Sequence, residues 1–166
     1  MSANIHLTVA TVVLQNNHFL MVRETVDGIS VINQPAGHVE AGENIVDAAV
    51  RETHEETGWL FKLTSFLGVY AYKPIHKDAT YYRLCFAAEP INLDSTSALD
   101  PDIDEALWMT VEEIRQSEHE LRSPLVIKCI EDFLSCKSYP LDLFRNKLDW
   151  GSFTIILSQN KERPIG

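Results

Sequence analysis

Residues 37–59 read GHVEAGENIVDAAVRETHEETGW, and the way this stretch must fold decides the reading of the whole chain. Asn44 is a good N-cap, because its side-chain oxygen accepts from a backbone N–H that the first helical turn leaves unpaired. Asp47 follows at the capping-box position, as a variant of that motif. Gly58 suits the place just past a helix end, where the backbone turns left-handed. Between these two signals the sequence predicts a helix. Each residue advances the wheel by roughly 100°. Ile45, Val46, Ala49, Val50, Thr53 and Thr57 then gather on one side, expected to face a core. Glu52, Glu55 and Glu56 gather on another.

Three carboxylates on neighbouring turns repel one another, at a cost of about 0.2–0.5 kcal/mol per pair. They also stand near the helix C-terminus, where the helix dipole disfavours anions. A helix shaped for stability alone would carry Lys or Arg there. A divalent cation reverses the balance: Mg²⁺ takes hard oxygen ligands, keeps several waters and pairs readily with phosphate oxygens. From periodicity alone, a metal-binding face and a solvated acidic face account for the three glutamates equally well.

Gly37, Glu43, Arg51-Glu52, Glu55-Glu56, Gly58 and bulky Trp59 stand at the spacing of the Nudix box, and on that long motif the chain resembles the Nudix hydrolase family. Thr53 departs from it, where the family usually has a bulky aliphatic residue. It falls on the expected buried side, so the change bears on packing more than on chemistry. The resemblance implies an α/β protein with the Nudix fold, an α/β/α sandwich with a mixed β-sheet between helices. It also implies Mg²⁺, with Mn²⁺ as the alternative, held on a substrate diphosphate. Glu52, Glu55, Glu56 and the backbone carbonyl of Ala36 are then the expected metal ligands. Arg51 is expected to orient the carboxylates, with Glu43 as its partner, so the catalytic set is Arg51, Glu52, Glu55 and Glu56. Glu55 or Glu52 would be the general base. Gly37 and Gly42 would let the loop approach the ion and turn tightly.

Asn33-Gln34-Pro35-Ala36-Gly37-His38, Leu121-Arg122-Ser123-Pro124-Leu125-Val126 and Tyr139-Pro140-Leu141 narrow the resemblance to bacterial phosphatases of this family, from about His6 to Leu143. This implies hydrolysis of phosphoanhydride bonds in nucleoside tri- and diphosphates and in hydroxymethylpyrimidine pyrophosphate, with thiamine pyrophosphate as a further substrate and phosphate as a product. The alternatives are a pyrophosphohydrolase of 8-oxo-dGTP, dinucleoside polyphosphates or nucleotide sugars, and a non-catalytic Nudix-fold module that binds a nucleotide. A module freed from catalysis could lose Glu52, Glu55 or Glu56, yet all three are present.

Outside the box, Arg83 lies in TYYRLCFAA. Strand alternation puts Tyr82, Leu84 and Phe86 on one face and Arg83 and Cys85 on the other. An arginine in so apolar a strand needs a carboxylate or a phosphate as partner. Arg83 is therefore a candidate substrate contact, with Gln34 and His38 from the stretch around the metal loop, and the resemblance adds Arg122 at a helix start, where it could meet a phosphate. Asp104 and Glu105 are secondary carboxylate candidates, weighed against a plain solvated acidic loop. Tyr70, Tyr72, Tyr81 and Tyr82 fit either stacking on a base or ordinary strand packing. His54 is on neither face of the wheel and is expected to be exposed.

At 166 residues the chain is long enough for one domain with a real core, expected over 1–160, with 161–166 as a disordered tail. A net charge of −10 and a sequence pI near 4.9 argue against a nucleic-acid polymer or an anionic membrane as partner and leave a small phosphoanhydride as substrate. No long apolar run suits a membrane span, and MSANIHLTVA lacks a basic stretch followed by an apolar core, so a cytoplasmic home is expected. Cys85, Cys129 and Cys136 show no metal-ligand or disulfide spacing and read as buried thiols. The resemblance implies a monomer.

Strands are predicted over 6–14, 18–24, 29–32, 60–72, 79–88 and 103–109. Asn16-Asn17 and Asp27-Gly28 mark turns. Thr110 with Glu113 forms a capping box before a short helix. Ser123 is expected to cap a longer one over 124–136, with Pro124 at its first position.

Overall fold

The computed structural model describes residues 4–75 and 77–144. The expected tail at 161–166, and the far end of the expected domain, lie outside the described residues.

Strand β1 (Asn4–Gln15) turns back into β2 (His18–Val26), and β2 into β3 (Ile29–Asn33). Both turns have two residues, Asn16-Asn17 and Asp27-Gly28, all at positive φ. That backbone matches the twist of paired strands, which is why Asn, Asp and Gly occupy it. β4 (Ala36–His38) pairs antiparallel with one edge of β1. β6 (Ala79–Leu93) runs parallel along the other edge, and β5 (Trp59–Tyr72) lies antiparallel outside β6. β7 (Ile103–Met109) pairs antiparallel with β2. A mixed β4-β1-β6-β5 sheet is thus joined to an antiparallel β3-β2-β7 sheet through the β1–β2 hairpin.

Period-two alternation sorts the core into two layers. Val9, Val13, Leu84, Phe86 and Ala88 pack towards Ala48 and Ala49 of helix α1 (Ile45–Thr57). Ala10, Val12, Cys85 and Ala87 pack towards Ile114 of α2 (Val111–Gln116) and Val126, Cys129 and Ile130 of α3 (Leu125–Leu134). The sheet therefore lies between helices, the sandwich expected from the sequence.

Local signals set α1. Asn44 Oδ1 accepts from the Val46 N–H at 2.9 Å, and Gly58, at φ 69°, donates its N–H to the His54 carbonyl at 2.8 Å. The described hydrogen bonds include no reciprocal bond from Asp47. Thr110 and Glu113 form the full capping box of α2, with bonds of 3.2 and 2.7 Å.

Several expectations are corrected. Residues 36–38, read as loop, form β4 because β1 offers them an edge to pair with. β6 continues through Pro90, which lies past the last residue paired with β1 and so forfeits no bond on that side. α3 begins after Pro124, and the Ser123 hydroxyl is buried without a partner instead of capping the helix. Val50 is 41 % exposed while Ala48 is fully buried. The covered face of α1 is thus rotated towards Ala48, Ala49 and Thr53, small side chains that let the helix approach β1 closely. Thr53 hydrogen-bonds Thr11 across that contact at 2.7 Å. His54 is half-buried, its Nε2 3.8 Å from Asp94 Oδ2. Cys85 and Cys129 are buried, but Cys136 is exposed.

Candidate active site

The rotation of α1 brings Glu52 and Glu56 over β4. Between them and the opposite wall lies a cavity of about 590 Å³, lined by both glutamates, Ala36, Gly37, Arg83 and Arg122. Gly37 leaves room for Glu52: a β-carbon on it would lie 2.0 Å from Glu52 Oε2 and would displace that carboxylate.

Arg51 organises the outer side of the helix. Its guanidinium makes a two-pronged contact with Glu43, Nε to Oε1 at 2.8 Å and a second nitrogen to Oε2 at 2.9 Å. It also donates to Glu52 at 2.8 Å, to Glu55 at 3.0 Å and to the His38 carbonyl at 3.1 Å. Glu43 accepts the Glu40 N–H as well, which closes the loop before the helix. Arg51 and the Glu40 N–H hold the Glu43 carboxyl down at about 2. Glu55, nearly half exposed, lies beside Arg51 and does not line the cavity.

Glu56 is half-buried. Its Oε2 accepts the Ala36 N–H at 2.8 Å. Burial, opposed by that N–H and reinforced by the charges of Glu24, Glu52 and Asp100, pushes its carboxyl up to about 8. Burial also raises Glu52, against the opposing pull of Arg51.

Among the described residues no three His, Cys, Asp or Glu side chains converge tightly enough to form a ready-made ion cage. Arg51 holds one oxygen each of Glu52 and Glu55, and Glu56 faces Ala36. The donor chemistry nevertheless fits a hard divalent cation. Carboxylate oxygens crowd one end of a cavity where burial penalises their charge, and a cation would relieve that penalty.

Two arginines, Arg83 and Arg122, also line the cavity. Arg83 is only 8 % exposed, and its described partners are neutral: Gln34 Oε1 at 3.1 Å and Asn33 Oδ1 at 3.3 Å. The expected carboxylate partner does not appear among them, and the guanidinium borders the cavity. Gln34, expected to touch substrate, is fully enclosed. Its amide nitrogen donates to the Val126 carbonyl at 2.6 Å, so it supports Arg83 from behind. Arg122 lines the cavity but is bonded to Glu24, which also accepts from Asn33 at 3.3 Å. His38 borders the cavity beside Gly37.

Asp104 and Glu105 do not line the cavity. β7 pairs Glu105 with Arg23 on β2 and carries Asp104 at the register shift beside it; Asp104 accepts from Thr25 at 2.9 Å and Glu105 from Arg23 at 3.0 Å. The carboxylates that do reach it from this region are Asp100 and Asp102, just before the strand. Sequence reading also passed over Glu24 and Asn33. Both belong to short hairpin strands, and only the pairing of those strands brings them together.

This fold and this cavity are those of a Nudix hydrolase. A family model of the NUDIX domain matches residues 4–129, and the chain belongs to that family. It is 42 % identical over 139 residues to the phosphatase NudJ of Escherichia coli strain K12, covering 83 % of this chain and 89 % of that one. A solved Nudix hydrolase from Nitrosomonas europaea superposes with a TM-score of 0.84 at 38 % identity, over 87 % of this chain and 98 % of that one. An Ap4A hydrolase from C. elegans shares the fold alone, with a TM-score of 0.62 at 18 % identity, over 78 % of this chain and 96 % of that one. The protein is an enzyme of the Nudix pyrophosphohydrolase and phosphatase type, a class that generally uses divalent metal ions on small-molecule phosphoanhydrides. No described helix is long and apolar enough to cross a membrane.

Proposed function

We propose that this enzyme hydrolyses phosphoanhydride bonds of nucleoside tri- and diphosphates and of hydroxymethylpyrimidine pyrophosphate with Mg²⁺, releasing phosphate, and that thiamine pyrophosphate is a further substrate. One observation carries the reading. Half-buried glutamates and a buried arginine whose described partners are amides line one cavity. A metal-bound diphosphate supplies what each of them lacks.

Charge explains why a cation belongs there. A pyrophosphate and a chain of net charge −10 repel each other. Bound Mg²⁺ supplies neutralisation of the phosphate oxygens and acidification of water. Glu52, Glu55, Glu56 and the carbonyl of Ala36 are its proposed ligands, with Mn²⁺ as a substitute. Arg51 holds one oxygen each of Glu52 and Glu55, and the second oxygen of each would be available to the cation. Glu52 or Glu55 accepts the proton of the attacking water. Arg83, with its planar fork already oriented by Gln34 and Asn33, grips the phosphate, and Arg122 and His38 flank it. The enzyme is proposed to work as a cytoplasmic monomer on small molecules, not on a nucleic-acid polymer or a membrane.

Phosphate release from ATP, ADP, hydroxymethylpyrimidine pyrophosphate and 8-oxo-dGTP, with Mg²⁺ and with EDTA, tests this. The expected result is Mg²⁺-dependent release from the first three. A strong preference for 8-oxo-dGTP would contradict the substrate assignment, and no metal-dependent release from any would point to a binding module.

A further inference from the structure

The reading above accounts for the glutamates, Arg83 and the flank that His38 gives the phosphate; the aromatic side of the same cavity is not accounted for. Four rings stand there in a row across four strands: His38 on β4, His6 on β1, Tyr81 on β6 and Tyr72 on β5. The row follows from register, since His6 pairs with Tyr81 and Tyr81 with Tyr72, while β4 lays His38 opposite Thr8. His6 stacks on Tyr81 with centroids 4.7 Å apart and planes within 15°. His6 also meets His38 edge-on at 5.3 Å, and their ring nitrogens lie 3.2 Å apart. His38, Tyr81 and Tyr72 line the cavity; His6 does not and serves as a brace behind Tyr81. His6 covers one face of Tyr81, and Tyr72 is paired with Tyr81 on the strand beyond it.

We infer that this row is a docking platform for the planar ring of the substrate. The ring lies against the open face of Tyr81 beside Tyr72, and His6 positions Tyr81. Tyr81 and Arg83 share a strand face two residues apart, about 7 Å along the strand. An occupant that stacks on one and gives a phosphate to the other is therefore a flat heteroaromatic ring joined to its first phosphate by a short linker. Aromatic side chains accept such rings with little regard to their hydrogen-bonding edges, so the platform favours ring-bearing diphosphates as a class. This rests on the proposed hydrolase reading for the phosphate end only.

The test compares ADP with inorganic tripolyphosphate, which has the anhydride but no ring. Turnover and calorimetric affinity are measured with Mg²⁺. Tyr81→Leu is expected to weaken ADP binding and raise its KM about tenfold, the scale of one lost base–aromatic stack. Its kcat on ADP and its behaviour towards tripolyphosphate should stay within about twofold of wild type, because neither depends on the stack. His6→Leu should show part of the same selective loss, and His6→Phe should restore it. Equal losses on both substrates, or an unchanged KM for ADP, would overturn the platform. Should the wild type turn over neither compound yet bind ADP more tightly, with Tyr81→Leu abolishing the excess, hydrolysis would fall and the platform would stand.

Discussion

Gly37 and Glu52 occupy one space between them: a β-carbon on the glycine would lie 2.0, 2.1 and 2.4 Å from the Oε2, Cδ and Oε1 atoms of the glutamate. Strand β4 and helix α1 are in effect fitted together at this point, and the Glu52 carboxylate gains its position from what the strand lacks. Arg51 holds the same carboxylate from the other side at 2.8 Å, so it cannot simply swing clear.

Gly37→Ala is therefore expected to displace a carboxylate and leave the fold intact. A shift of about 1 Å at a reacting group costs on the order of a hundredfold in kcat/KM. The melting temperature should stay within a few degrees, since the added methyl meets the end of a side chain and not backbone. Paired melting and turnover measurements on the variant check this.

Arg83→Lys keeps the charge and loses the fork. KM for a diphosphate substrate should rise about tenfold or more, the size of one charge-assisted hydrogen bond. An unchanged KM would mean that Arg83 serves the strand and not the substrate.

The pH dependence of stability has two limbs of opposite origin. Glu43 sits at about 2 in the fold, below its ordinary 4.5. Its contribution is full above about 4.5 and is lost as pH falls towards 2. Glu56 sits at about 8, so between about 4.5 and 8 the folded chain holds a proton that the unfolded chain has released. Without metal, stability should then decline as pH rises through that window. Melting in EDTA from pH 5 to 8 should show the decline. Glu56→Gln should flatten it, and Mg²⁺ should flatten it too, by compensating the carboxylate charge.

Glu43→Gln breaks the two-pronged contact that fixes Arg51 while leaving Glu52 and Glu56 in place. Turnover should fall about tenfold, through misorientation and not through loss of a ligand. Part of the loss should be recovered at higher Mg²⁺. A loss as deep as that of Glu56→Gln, with no recovery, would contradict the division of roles.

The parts of the fold legible in the sequence are those with local causes. Asn44 and Gly58 bound α1, Thr110 and Glu113 start α2, and runs of β-branched and apolar residues mark β1 and β6, each because neighbouring residues alone determine the outcome. β4 was illegible because three residues become a strand only beside β1. The site divides in the same way. The spacing of Glu52 and Glu56 is visible along one helix. Glu24, Asn33 and the His6–Tyr81 stack come together only where separate strands meet, and Asp100 arrives on the loop before β7. Asp104 and Glu105 were natural candidates in an acidic segment, but strand pairing commits them to Thr25 and Arg23. The wheel also placed Val50 inside, since it treats all apolar residues alike, whereas close packing on β1 selects the smaller alanines.

Glu56 is where burial meets the proposed metal and catalytic roles, so one variant tests the account most directly. Phosphate release from ADP is followed for the wild type and for Glu56→Gln, each with millimolar Mg²⁺ and with EDTA, beside a melting curve of each protein. The account predicts release by the wild type only with Mg²⁺, and a fall on the order of a hundredfold or more in a folded Glu56→Gln protein. Near-normal turnover by that variant, or wild-type release that EDTA leaves untouched, would contradict it.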